Sequence, residues 1–272
     1  MSRQRRRKSK GNAGHILGGT LLMLTTAGIG GGVWYLHQQA EAKPVLDKVT
    51  LCPTTGPKDI TAILLDVTDP ISDITALDLR NHFQELVAAV PTGGLIEVYT
   101  LTDTASELDK SFSGCNPGDA STVSDWTGNK RLVQERWEKG FQKPLDDIAG
   151  RVNQGVAGKQ SPILAGIQKI NVAAFGAKQY KDIPKHLVIA SDLIEHTPTF
   201  SMYSSGVDYS KFKKSGAPDQ FRTDLTGITV RLFHFQRPGG KFDSYDLAEF
   251  WKTWVMANGG DFDKYTRLEG IL

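Results

Sequence analysis

The chain is poor in the residues that usually carry chemistry. It has 2 cysteines and 6 histidines in 272 residues. The cysteines stand at Cys52 and Cys115, a spacing that excludes a Cys-x-x-Cys redox pair, and no four-ligand zinc pattern accompanies them. There is no Gly-x-Ser-x-Gly elbow, no phosphate-binding loop and no dinucleotide glycine fingerprint. Internal repeats are missing, and so is any low-complexity linker beyond a short polar stem over 38–48. Charge of one sign is also scarce: 32 basic residues stand against 30 acidic ones. Six of the bases (Arg3, Arg5, Arg6, Arg7, Lys8, Lys10) crowd into the first ten residues, leaving 26 against 30 in the remainder. That balance gives no basic groove and argues against a nucleic-acid partner.

No charged residue occurs from Ile16 to Leu36. At ~1.5 Å per residue this stretch is long enough for the ~30 Å hydrocarbon core. The basic head predicts a cytoplasmic N-terminus, and Trp34 and Tyr35 suit the far interface. The expected layout is a basic cytoplasmic head over 1–14, a single transmembrane helix over 15–37, a stem over 38–48 and one domain over 49–272. Its location would be a bacterial-type inner membrane, with the domain periplasmic or otherwise extracytoplasmic. A cleaved signal peptide is the rival, with Ala40-Glu41-Ala42 near the cutting position. Gly28-x-x-x-Gly32 would let two spans approach closely, so self-association through the span is a further expectation. In such an oxidising compartment, Cys52 and Cys115 are expected to form one disulfide, two buried free thiols being the alternative.

Beyond the stem, apolar strands alternate with helical periodicity. Strands are expected over 60–66, 95–101, 185–192 and 228–235, and helices over 73–90, 130–153 (bent at Pro144), from 161 and over 244–258. Alternation of this kind predicts an α/β fold, a mostly parallel central sheet with helices on both faces. The segment 102–128 reads as a polar loop. The segment 194–226 is polar, aromatic and long for a connection, and such connections are commonly functional. Departing next to Asp192, it is expected to overhang the site, with Phe200, Tyr203 and Tyr209 as partner-binding residues. Trp251 and Trp254 at helical spacing read as core.

The chemistry concentrates at two strand ends. Leu64-Leu65-Asp66-Val67-Thr68-Asp69-Pro70-Ile71-Ser72 closes the first strand, and Ile189-Ala190-Ser191-Asp192 closes a later one. In an open α/β sheet such ends share one crevice, where ligands bind. Carboxylates and hydroxyls gathered there are hard oxygen donors suited to Mg²⁺ or Mn²⁺.

Asp66, Thr68, Ser161 and Asp192 resemble the metal-ion-dependent adhesion site of von Willebrand factor A-type (VWA) domains. In that family the first strand ends in Asp-x-Ser/Thr-x-Ser, a hydroxyl comes from a loop opening a later helix, and an Asp closes a later strand. The resemblance covers about 50–260. It implies direct ligation by Thr68 and Ser161, with Asp66 and Asp192 holding those ligands and balancing charge. A partner's acidic side chain would complete the coordination, which makes the protein a membrane-anchored binding or assembly module engaging a protein partner, within a membrane complex, rather than an enzyme. Two positions depart from the pattern. Pro70 replaces the third hydroxyl, with Asp69 and Ser72 nearby as extra ligands off the pattern, and Leu193 stands where the family has glycine.

Two other readings stay open. Asp69, Ser72 and Ser161 also suit plain helix caps. The scaffold would then be a degenerate VWA domain that binds its partner without metal. Alternatively, the strand-end Asp66 is similar to the nucleophile of haloacid-dehalogenase-type Mg²⁺-dependent phosphatases, with Asp192 as metal ligand, although Thr68 replaces their second acid.

Overall fold

The computed structural model describes all residues except 1–12, 42–43, 104–106, 124–127, 153–157, 237–239 and 269–272. The chain divides into two compact units, one ending at Pro44 and one beginning at Val45.

Among its described residues the first unit holds a single helix, α1 (Ala13–Glu41). Its described apolar side chains are open: Leu22, Met23, Leu24, Ile29, Val33, Trp34 and Tyr35 are all exposed. Among the described residues no helix is long and apolar enough to cross a membrane. The expected span over 15–37 therefore finds no support there, and the physical reason is compositional. Within 22–35, Thr25, Thr26, Gly28, Gly30, Gly31 and Gly32 interrupt the apolar side chains. The side chains of 15–21 and 36 lie outside the described residues, as does the basic head up to residue 12.

The second unit runs β1 (Ile60–Asp66), α2 (Asp73–Ala89), β2 (Leu95–Leu101), β3 (Leu108–Cys115), α3 (Lys130–Trp137), α4 (Lys143–Ala149), α5 (Ile163–Ile170), β4 (Lys185–Ser191), the short helices α6 (Met202–Ser205), α7 (Tyr209–Lys214) and α8 (Ala217–Gln220), β5 (Ile228–His234), α9 (Ser244–Ala257) and β6 (Asp261–Arg267). The strands form one sheet in the order β3-β2-β1-β4-β5-β6. All neighbours are parallel except β2 and β3. β1 is buried along its whole length, as a continuous apolar run at the centre of a parallel sheet requires.

Side chains alternate between two cores. Ala62, Leu64, Leu187, Ile189, Val230 and Leu232 face α5 and α9 with Ile167, Trp251 and Trp254. Ile63, Leu65, Val188, Ala190 and Phe233 face α2 and α4 with Phe83, Leu86 and Leu145. Helices on both faces of a mostly parallel sheet thus match the expectation, and both tryptophans are core.

The differences lie in polar sequence. The loop expected over 102–128 contains β3, and β6 was not legible at all; both are largely polar edge strands. The helix expected over 130–153 is α3 and α4, joined by a π-helical turn at Glu138–Gln142, with Pro144 in the first turn of α4. The expected disulfide is present between Cys52 and Cys115, 63 residues apart. It ties the lead-in of the domain to the last residue of β3, and in the chain-entropy picture a loop of that length stabilises by about 4 kcal/mol.

Candidate metal centre

Strand order reverses between β1 and β4: the chain moves from β1 outward through β2 and β3, then returns to the other side of β1. The carboxyl ends of these two strands form the crevice where such sheets bind ligands. The register pairs Leu65 with Ala190, which sets Asp66 beside Ser191.

Asp66 is 2% exposed and every part of its carboxylate is engaged. Oδ1 accepts from the Thr68 backbone N–H at 3.0 Å and from Thr68 Oγ1 at 2.6 Å. Oδ2 accepts from Ser191 Oγ at 2.6 Å and from Ser161 Oγ at 3.1 Å. These four donors match the roughly four lone-pair positions of a carboxylate. Three hydroxyls from three segments therefore turn their protons toward Asp66; Ser191 Oγ also accepts from the Leu193 N–H, while Thr68 and Ser161 have lone pairs to offer.

Ser161 reaches Asp66 because α5 rides low on the sheet. A Cβ on Gly166 would sit 3.0 Å from Leu101 Cδ1 and 3.3 Å from Leu64 Cδ1, which shows how closely the helix is seated there. A two-way backbone bridge between Ser161 and His196 fixes the loop in front of α5. Ser161 does not cap α5. The Leu164 N–H is taken instead by Glu195 Oε2 at 2.9 Å, from the chain leaving β4. That tertiary cap leaves the Ser161 hydroxyl for Asp66. Glu195 is fully buried, its Oε1 has no hydrogen-bond partner, and burial pushes its carboxyl up to about 8. The nearby Asp66 charge adds to that rise, while the Leu164 N–H and Thr197 hydroxyl oppose it.

The β4 exit is held in an unusual conformation. Leu193 has φ +62°, in the left-handed region that costs a residue with a side chain roughly 1–2 kcal/mol. Three contacts hold it there. Its N–H donates to Ser191 Oγ at 2.9 Å, its carbonyl accepts from Trp251 Nε1 at 2.8 Å, and its side chain is fully buried. Asp192 is 5% exposed, and its Oδ1 accepts from the Ile194 N–H at 3.0 Å.

Asp66, Thr68 and Ser161 are thus brought together, and Asp192 closes the adjacent strand end. Ser72 is the N-cap of α2, accepting from Thr75 N at 3.1 Å and sharing a 2.8 Å bond with Thr75 Oγ1. Asp69 is half-buried and Pro70 exposed in the same turn. Two residues in the cluster, Ser191 and Glu195, were not among the expected ligands. Ser191 was signalled by its place before Asp192, and Glu195-His196 by following Asp192 closely enough to approach the site, but nothing local announces that Glu195 caps α5. His196 pairs its Nδ1 with Ser201 Oγ at 2.8 Å and stacks edge-on with Tyr203.

In the segment 194–226 the aromatic residues expected to meet a partner are mostly turned inward. Phe200 is 3% exposed and packs with Phe212 and Phe250, so it is core and offers nothing to a partner. Tyr209 is half-buried against the same rings. Tyr203 is the exposed member, at 45%.

Among the described residues no three His, Cys, Asp or Glu side chains cluster as a metal site. The fit to a cation therefore rests on the donor set. Hydroxyls whose protons are committed to Asp66 present oxygen lone pairs, the hard ligand type of Mg²⁺ or Mn²⁺, and such ions need few protein ligands. Asp66, buried and fully hydrogen-bonded, is poorly placed as a nucleophile.

No protein-family model matches the sequence, and no curated protein matches it. Among solved structures the chain is similar to an aerotolerance-related membrane protein from Bacteroides fragilis NCTC 9343 carrying multiple mutations to serine (12% identity, 78% of this chain and 91% of that one, TM-score 0.35). It is also similar to BatB from Bacteroides thetaiotaomicron (11% identity, 79% and 92%, TM-score 0.39) and to the SpRpn10 VWA domain (11% identity, 79% and 90%, TM-score 0.39). Likenesses this distant transfer no residue's role.

Proposed function

We propose that this protein is a VWA-like binding or assembly module that engages a protein partner at the β1/β4 crevice through a divalent cation. The observation that carries it is the convergence of Thr68, Ser161 and Ser191 on the buried Asp66 carboxylate at the point where strand order reverses. Thr68 and Ser161 would hold Mg²⁺ or Mn²⁺, with Asp192 beside them and Asp66 orienting the hydroxyls. The cation supplies a positive charge open to an acidic side chain of the partner. Binding rather than turnover is the activity, because no group in the cluster is a free nucleophile.

The sequence supports a membrane location. A basic head precedes an uncharged stretch over 16–36, and the described side chains of α1 there expose apolar surface to their surroundings. The module would then act within a membrane complex on the extracytoplasmic side.

Calorimetric titration of Mg²⁺ and Mn²⁺ into the full chain in detergent tests the cation. Saturable binding is expected, weakened at least tenfold by Asp192→Ala. A wild-type protein that takes up neither ion would remove the cation from the function. It would favour the metal-free scaffold, which has its own support: Pro70 stands in place of a third hydroxyl, and Asp66 is satisfied by the chain itself.

A further inference from the structure

The second unit begins at the end of the sheet away from Asp66. Cys115, the last residue of β3, lies across from Leu95 at the start of β2, and its N–H donates to the Thr50 carbonyl at 2.8 Å. Leu95 in turn lies across from Ile60 at the start of β1. The lead-in over 45–52 is thereby held at the strand ends opposite the crevice.

This lead-in is a fixed loop. The Asp47 carboxylate accepts from the N–H groups of Val49 and Thr50 at 3.0 and 2.7 Å, and from Thr50 Oγ1 at 2.9 Å. Leu51 takes φ +58°, and a Cβ on Gly140 would meet its Cδ1 at 2.6 Å. The disulfide at Cys52 closes the loop. Val49 is turned outward, 88% exposed, and Leu132 of α3 is 50% exposed. With Lys48, Arg136 and Lys139 they rim an open depression of about 430 Å³.

Charge is segregated onto the same surface. Segments 45–51 and 130–143 carry 6 bases and 3 acids, whereas the remainder beyond the first ten residues carries 20 and 27. Lys139 pairs with Glu135, but among the described residues Lys48 and Arg136 meet no acid. Bases around an apolar tip match an anionic bilayer surface, whose headgroups take the bases while its acyl boundary takes the tip. The covalent chain favours the same occupant. Val45 follows Glu41, the last residue of α1, by four positions, at most about 14 Å of extended chain.

We propose that Val49 and Leu132, with the bases around them, dock the second unit on an anionic lipid surface and leave the Asp66 crevice facing away from it. The proposal rests on the membrane location read above and not on the cation.

The test places the full chain in nanodiscs of phosphatidylcholine, alone or with about one third phosphatidylglycerol, and follows amide hydrogen exchange by mass spectrometry. Segments 45–51 and 130–137 are expected to exchange at least fivefold more slowly in the anionic discs, with α9 unchanged. High salt should remove the difference, because it screens exposed charges. The double variant Lys48→Glu/Arg136→Glu should abolish the protection and Val49→Asp should weaken it, both at the wild-type melting temperature, since all three positions are exposed. Equal exchange in the two kinds of disc overturns the proposal and turns attention to an acidic protein segment as the occupant. Protection that survives the charge reversal also overturns it. A chain that enters neither disc overturns the membrane location and this surface with it, a result distinct from a chain that enters both and exchanges equally.

Discussion

Glu195 is a residue whose energetics depend strongly on its surroundings. Its carboxyl titrates near 8 rather than at the ordinary 4.5, because burial disfavours the charged form. Between those values the folded chain holds a proton that the unfolded chain has released. The associated stability is full below about 4.5 and is lost as pH rises through about 8, by up to several kcal/mol. Glu195→Gln, which cannot ionise, should escape that loss. The melting temperature of the variant relative to wild type is expected to rise by roughly 5 °C or more from pH 5 to pH 9. Parallel curves for the two proteins would refute it. His234, held down to about 4 by burial, acts in the opposite direction and only at acid pH, and it cancels in the comparison. In the sequence Glu195 stands close enough to Asp192 to approach the strand end, but its place under α5 is not legible there. Its partner, the Leu164 N–H, is 31 positions away, and no local spacing encodes that meeting.

At the scale of elements, legibility followed hydrophobicity. β1, β2, β4 and β5 carry apolar runs and were readable from them. β3 and β6 are edge strands, with one side toward water and mostly polar side chains, so their sequences look like loop. The segment 194–226 misled for the opposite reason. Its aromatics read as a contact surface, but Phe200, Phe212 and Phe221 are buried and the segment folds as three short helices. Periodicity is weak in helices of four to six residues, which hides them.

The start of α2 shows how one residue type supports two roles. Ser72 was open to reading as ligand or cap, and in the fold its hydroxyl serves Thr75. Ser72→Ala should therefore cost about 1 kcal/mol of stability and leave Mg²⁺ affinity unchanged. Denaturant unfolding and cation titration of the same variant check both halves; lost Mg²⁺ affinity at full stability would make Ser72 a ligand instead.

For the whole molecule, the disulfide and the two cores on either side of the sheet define the second unit, and the described residues of the first hold one helix. Within 22–35 the helix is apolar but glycine- and threonine-rich, while six bases stand before it in the sequence. If it anchors the protein, cell membranes washed with alkaline carbonate should retain the chain, and deletion of 1–37 should release it. Full release of the intact chain by carbonate would place the protein off the bilayer core. Its 29 residues would extend about 43 Å, so length is not what limits it.

Sequence alone determined the α/β alternation, the central strands, the disulfide pair and the strand-end carboxylates, because each is written in local periodicity, composition or compartment. Tertiary structure decided which polar residues meet. Strand order set Asp66 beside Ser191, and the close seat of α5 at Gly166 delivered Ser161. The turn at Leu193 brought Glu195 under the helix, freeing the Ser161 hydroxyl. Those outcomes depend on the register between distant segments, and register is set by packing the whole sheet at once.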